Sequence, residues 1–218
     1  MALSALLFDL DGTLIDTDEL HLNAYNQLLA RWDRSIDIEY YKAHVMGFPD
    51  DMIFGGLFPD IPASQYAGLA AEKETMFRAQ LGETIPVAGV RRILDHAQKA
   101  GLRTAVVTNA PRENAVAMLT GLGIVDRFEA IVIGGELQRG KPHPMPYLTA
   151  LELLGVKADQ AIAFEDSLAG VQSAHAAGIH TFGVLSGLQE HQLRQAGARD
   201  VIRDFNADAL WQFLQTAD

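Results

Sequence analysis

"LLFDLDGTLIDTDEL", residues 6–20, passes from a run of apolar side chains into a stretch that holds five acids. The first half reads as a β-strand covered on both faces, because a near-continuous apolar run without alternation is the pattern of a buried parallel strand. Asp9 and Asp11 stand one residue apart at its end. Two carboxylates at the mouth of a buried strand repel each other and cost free energy to desolvate. Either water or a positive charge has to meet them. Gly12 follows at once, a residue that supplies backbone conformations closed to others.

Further along the chain the same apolar pattern recurs at 103–108, 129–134, 161–165 and 180–184, beside the first run at 5–10. Between these runs lie 90–101, 112–123, 146–155 and 167–178, each with apolar residues at helical spacing and each ending in glycine, a common helix stop. Strand and helix in alternation predict a parallel sheet with right-handed crossovers. One stretch departs from this. From Asp18 to about Leu81 no strand is evident, and 18–32, 38–45, 49–58 and 64–81 read as helices. The expected fold class is therefore α/β: a Rossmann-like parallel sheet core flanked by helices, residues 1–16 and 83–218, with an inserted all-helical cap domain over 17–82. Ligands of open α/β sheets bind beyond the carboxyl ends of the strands. An insert that leaves the chain there can exclude water and select a substrate.

Parallel strands bring their carboxyl ends to one edge, so the polar residues that close each run converge. The first run ends in Asp9 and Asp11, the second in Thr108 and Asn109. Lys141 follows the third, and the fourth closes with Glu165, Asp166 and Ser167. Asp9, Asp11 and Asp166 offer hard oxygen ligands to Mg²⁺, which favours a few carboxylates completed by water and substrate. A metal charge would offset the repulsion between the acids. Lys141 and the Thr108 hydroxyl can hold an anion beside it. Cation, ammonium and donors around one anion suit phosphoryl transfer, which is mostly charge neutralisation and positioning. One carboxylate can act as nucleophile, and another two residues on can protonate the leaving oxygen and then activate water.

"DLDGT" (9–13), "VTN" (107–109), "GKPHP" (140–144) and "FEDS" (164–167) resemble, in order and spacing, the four motifs of the haloacid dehalogenase-like hydrolases, over about residues 5–185. Carried over by position, the resemblance implies Asp9 as nucleophile and Asp11 as general acid/base. It implies Thr108, with Asn109 beside it, and Lys141 as phosphate-binding residues. Asp166 would ligate the metal with Asp9 and the Asp11 carbonyl, and Glu165 would stand in the outer shell of that site. The helical insert is similar to the cap of the subfamily that holds phosphoglycolate phosphatases, small sugar-phosphate phosphatases and β-phosphoglucomutases. Within it His21, just inside the first cap helix, and Lys73, on the last long one, are candidate substrate contacts. The plain alternative for Lys73 is the wet face of an alternating "EKE". Phe48, Met46 and Met52 read as cap core, and His96, His175 and His180 as helix or strand surface residues, with His143 in a loop.

Whole-chain properties narrow the classes. At 218 residues, 49% hydrophobic and 21% charged, the chain can bury a full core. A formal net charge of −11 repels phosphate backbones and anionic bilayers, so neither nucleic acid nor membrane is an expected partner. There is no cysteine, hence no disulfide framework and no thiolate chemistry; this fits a reducing compartment, and the expected localisation is cytoplasmic. The expected partner is a small phosphorylated metabolite, bound by a monomer or small homo-oligomer. The leading expectation is a Mg²⁺-dependent phosphatase working through an aspartyl phosphate. Its rival is a sugar phosphomutase of the same subfamily. Mutases carry a cationic cap loop to grip a second phosphate, whereas "MGFPDDM" (46–52) offers two acids and no cation. A dehalogenase would have no need of Asp11. A phosphoryl-accepting or binding-only domain would need neither the cap nor the full set of acids and lysine.

Overall fold

The structure, a computed structural model, describes residues 3–46, 48, 50–83 and 85–217. In chain order its strands and α-helices are β1 Ala5–Phe8, α1 Asp18–Leu29, α2 Ile38–His44, α3 Asp50–Leu57, α4 Tyr66–Arg78, α5 Val90–Ala100, β2 Arg103–Thr108, α6 Arg112–Gly121, β3 Ala130–Ile133, α7 Met145–Leu154, β4 Ala161–Glu165, α8 Leu168–Ala176, β5 His180–Val184, α9 Glu190–Ala196, β6 Asp200–Ile202 and α10 Asp208–Ala217. The chain divides into two compact units, Met1–Asp16 with Ile85–Asp218, and Thr17–Thr84.

The first unit is a six-stranded sheet in the order β3-β2-β1-β4-β5-β6, with every pairing parallel. The five expected strands are present. The first is shorter than its apolar run: β1 stops at Phe8, because Asp9 opens the turn that follows, although Leu10 remains buried. Helices α5 to α8 lie where the periodicity predicts them. β6, α9 and α10 were not anticipated.

Both faces of the sheet are covered. On one, Ala5, Leu7, Ala105, Val107 and Ala163 pack with Tyr147, Ala150, Leu151 and Leu154 of α7 and Ala174 of α8. The many alanines let the helices come close. The other face carries an aromatic layer. Pairing sets Phe8 opposite Phe164, and Phe164 opposite Phe182, so three rings lie in a row across β1, β4 and β5. They stack at centroid separations of 5.1 and 5.6 Å, and Phe205 meets Phe164 edge-on at 5.2 Å. One position further along, the same register sets Asp9 beside Glu165.

At the end of this unit's first segment, Ile15 bridges Pro86 in antiparallel fashion and the Val87 amide donates to the Leu14 carbonyl at 3.0 Å. Outgoing and returning chains are therefore adjacent.

The second unit is all-helical in its described residues, with α1 to α4 in the four expected places, and it has a core of its own. Tyr25, Leu28, Tyr41, Ile53, Phe54, Leu57, Phe58 and Leu69 are buried together. Phe48 and Met52 are 43% and 59% exposed, so they are not cap core; Met46 does pack against that core. The expected domain edge at 82/83 falls two residues earlier than the compact unit's, since the 3₁₀ turn Leu81–Glu83 belongs with Thr17–Thr84. Gly47 and Pro49 of the "MGFPDDM" loop lie outside the described residues. No helix among the described residues is long and apolar enough to cross a membrane.

Candidate active site

The register explains how the site forms. With Phe8 level with Phe164 and with Val106, the residues just beyond them, Asp9, Glu165 and Val107, meet at the carboxyl edge of the three central strands. The Asp9 amide donates to the Phe164 carbonyl at 3.0 Å, which fixes that junction. Asp9, Glu165 and Asp166 are all buried, and one carboxylate oxygen from each lies within 4.8 Å of the others.

Lys141, from the loop between β3 and α7, reaches into the group. Its ammonium donates to Asp9 Oδ1 at 2.5 Å, to Glu165 Oε1 and to the Val107 carbonyl at 2.7 Å, and its side chain is 3% exposed. Glu165 is fully engaged: Oε1 also accepts from the Tyr147 hydroxyl at 2.7 Å, and Oε2 accepts from Ser167 Oγ at 3.3 Å. Asp166 Oδ2 accepts from Ser186 Oγ at 2.7 Å. Gly12 has φ +72°, and a Cβ there would stand 2.0 Å from Asp166 Oδ2, so both its conformation and its missing side chain are needed.

Three carboxylates face one ammonium, and the titration of each group reflects it. Burial pushes Asp9 well above the ordinary carboxylate value, and Glu165 pushes it further, with Lys141 pulling back only in part. Burial and Glu165 raise Asp166 to about 8, and Asp11 adds to the push. Burial draws the Lys141 ammonium down, but Asp9 and Glu165 outweigh it and hold its pKa above the usual value. Burial and Glu165 raise Tyr147, which keeps its phenol a donor. With one ammonium among them the buried acids hold their protons more tightly than usual, so a further positive charge would favour their ionised forms, and the ligand atoms they offer are hard oxygens. Both properties fit a divalent cation of the Mg²⁺ kind. Asp9, Glu165 and Asp166 each present a carboxylate oxygen by which such a cation could be held.

Of the expected residues, Asp9, Lys141, Glu165 and Asp166 come together directly. The Asp11 carboxylate is not in the 4.8 Å group, although its charge is felt at Asp166. Thr108 is buried at the end of β2, and its hydroxyl accepts from the Ala110 amide at 3.0 Å. The Asn109 side chain lies against the main chain of Lys141. Tyr147 and Ser186 were not anticipated. Tyr147 sits among apolar residues of a helix, and only the α7 packing reveals its hydroxyl's target.

His21 and Lys73 meet within the helical unit. Lys73 Nζ lies 2.7 Å from His21 Nδ1 and 2.8 Å from Glu74 Oε1, and it stands over the Tyr25 ring at 4.8 Å. An ammonium only donates, so His21 Nδ1 accepts and the ring proton resides on Nε2. His21 stacks on Phe77 with centroids 4.1 Å apart. Lys73 is 4% exposed, which overturns the wet-face alternative. Burial, and after it Glu74, raise the pKa of Asp50 against the pull of Lys73. His180 is only partly exposed, paired with Asp200 at 2.8 Å.

The sequence profile described as haloacid dehalogenase-like hydrolase matches residues 6–184. A phosphorylated carbohydrates phosphatase of Thermotoga maritima is 29% identical over 208 residues, covering 92% of this chain and 94% of the relative. A phosphoglycolate phosphatase of Xylella fastidiosa is 33% identical over 188 residues, covering 86% and 82%. Among solved structures, CbbY from Rhodobacter sphaeroides in complex with phosphate superposes with a TM-score of 0.81 at 28% identity, covering 93% of this chain and 95% of that one. With the acid group at the carboxyl edge of its parallel sheet and a profile match spanning most of its length, the chain belongs to the haloacid dehalogenase-like hydrolases.

Proposed function

We propose that the enzyme is a Mg²⁺-dependent phosphatase that releases inorganic phosphate from a small phosphorylated metabolite, a sugar phosphate or a phosphoglycolate-like acid, through an aspartyl phosphate on Asp9. That it hydrolyses phosphate monoesters accords with relatives named for phosphorylated carbohydrates and for phosphoglycolate. The observation that carries the finer reading is the buried meeting of Asp9, Glu165, Asp166 and Lys141 at the sheet edge.

Lys141 occupies Asp9 Oδ1, which leaves the other oxygen to attack phosphorus. The ester P–O bond then breaks, and Asp11 gives its proton to the leaving oxygen. Asp11, now a carboxylate, takes a proton from the water that attacks the aspartyl phosphate. The Asp9–phosphorus bond breaks, and phosphate leaves with Asp9 restored. Lys141 and the Thr108 hydroxyl hold the phosphoryl oxygens. Glu165 orients Lys141, and Tyr147 and Ser167 in turn hold Glu165. Asp9 and Asp166, with the Asp11 main-chain carbonyl, would hold Mg²⁺, which when bound supplies positive charge to the phosphoryl group. His21, just inside the first cap helix, and Lys73, on the last long one, are proposed as residues that read the rest of the substrate, on the strength of their buried pairing.

A mutase must grip a second phosphate. The helical unit supports the phosphatase instead, since Lys73 is already paired with Glu74 and is flanked by Asp50. The test supplies a panel of small monophosphates with Mg²⁺, and separately β-glucose 1-phosphate with a trace of the 1,6-bisphosphate. Phosphate release from several monophosphates is expected. Accumulation of glucose 6-phosphate with little free phosphate would replace the phosphatase with the mutase.

A further inference from the structure

We propose that Asn109 is a positioning residue for Lys141: its carboxamide clamps the lysine's main chain and thereby aims the ammonium between Asp9 and Glu165. The activity arm of the test rests on the phosphatase reading. Asn109 Oδ1 accepts from the Lys141 amide at 3.2 Å, and Nδ2 donates to the Lys141 carbonyl at 3.4 Å. Val107, two residues back and inside β2, accepts from the ammonium of the same lysine at 2.7 Å. The end of β2 therefore holds Lys141 at both its main chain and its tip.

The need for such a clamp follows from where Lys141 sits. It lies in the connection between β3 and α7, which holds only a short 3₁₀ turn at Gly134–Glu136, and connections are the more mobile parts of a fold. A lysine side chain is a flexible four-carbon stem. Anchoring its main chain at the end of a strand is the economical way to keep the ammonium in register with the acids at the ends of β1 and β4. The space for the carboxamide is also built in. A Cβ on Gly134 would stand 2.0 Å from Asn109 Oδ1, and one on Gly140 would stand 3.0 Å away. Glycine at both positions lets the amide lie against the loop. A direct grip on phosphate by this side chain would instead require the carboxamide to be turned away from Lys141.

The test compares Asn109→Ala, Lys141→Ala and the double variant in hydrolysis of para-nitrophenyl phosphate with Mg²⁺. Asn109→Ala is expected to lower kcat by about 10²-fold, the usual cost of misplacing a group that must meet the reacting atoms. In the Lys141→Ala background the same change is expected to cost nothing further. Losses that multiply, together with weaker inhibition of the double variant by inorganic phosphate than of Lys141→Ala, would overturn the proposal and give Asn109 a direct phosphate contact. A second arm reads the lysine itself, by acylation with acetic anhydride followed by mass spectrometry. Lys141 is expected to react slowly in the wild type. In Asn109→Ala it should react on the order of tenfold faster, because its local opening is easier. Gly134→Ala, which pushes a methyl into the carboxamide, should have the same effect and serves if Asn109→Ala fails to fold. Unchanged labelling of Lys141 in these variants would overturn the clamp. A wild type that hydrolyses no phosphate ester would sink the phosphatase reading, while the labelling arm would still decide the clamp.

Discussion

On the proposed mechanism Asp9 carries two demands at once, since it has to be ionised to attack and yet it is buried beside two other acids. Asn in its place keeps the shape and removes the nucleophile. Asp9→Asn is expected to lower phosphate release by on the order of 10⁴-fold or more, as loss of a covalent nucleophile does, with the thermal unfolding midpoint not lowered. A variant that retained turnover near the wild-type rate would remove Asp9 from the role. Asp50 offers a second test, one confined to the helical unit. Its folded-state pKa is raised, first by burial and then by Glu74. A carboxyl whose pKa is higher folded than unfolded favours the fold while protonated, and that contribution is lost as pH rises above the ordinary value near 3.8. Asp50→Asn is therefore expected to raise the unfolding midpoint at pH 7 and to leave it nearly unchanged near pH 3. A melting series across that range checks the sign, and a midpoint that fell at pH 7 would contradict it.

At the scale of elements, the Phe8–Phe164–Phe182 row ties β1 and β4, whose ends bear the buried carboxylates, to β5. Phe164 is central and fully buried. Phe164→Ala is expected to cost about 3–5 kcal/mol, measured by chemical denaturation. The elements were largely legible in the chain because parallel strands buried on both faces write unbroken apolar runs. β6 was not legible, as "DVI" (200–202) is too short to show a pattern. α9 buries only Leu193, which leaves almost no periodic signal. α10 does carry one, since Leu210 and Leu214, four residues apart, are both buried. The acids of the site were legible because each ends a strand and the topology does the rest. Tyr147 and Ser186 were not, since their roles depend on which way a helix or loop turns a side chain. The same limit explains Phe48 and Met52, which look like core by composition and are exposed, and Lys73, which looks exposed between two glutamates and is buried.

For the whole molecule, the imbalance of three carboxylates against one ammonium predicts that cation binding and folding are linked. Mg²⁺ at ~100 times its dissociation constant would add roughly 2.7 kcal/mol. The unfolding midpoint is expected to rise with Mg²⁺, and excess chelator should abolish both that rise and the phosphate release. Full activity in chelator would count against the metal. Ca²⁺, which prefers more ligands and looser geometry, is expected to compete without supporting turnover.

The bridge between Ile15 and Pro86 has a consequence for how such a chain can change over time. Because the two ends of the helical insert leave and rejoin the sheet domain side by side, the insert is topologically a cassette. Removing it would force the remaining chain to close only a short gap, and the entropy of closing a gap grows slowly with its length. Substituting a short Gly-Ser connection for residues 17–84 should therefore leave a sheet domain that still unfolds cooperatively and is still stabilised by Mg²⁺, while substrate preference is lost. If that truncated chain did not fold, the two units would have to be regarded as one inherited whole. If it does, recognition can be exchanged by grafting while the chemistry stays where it is.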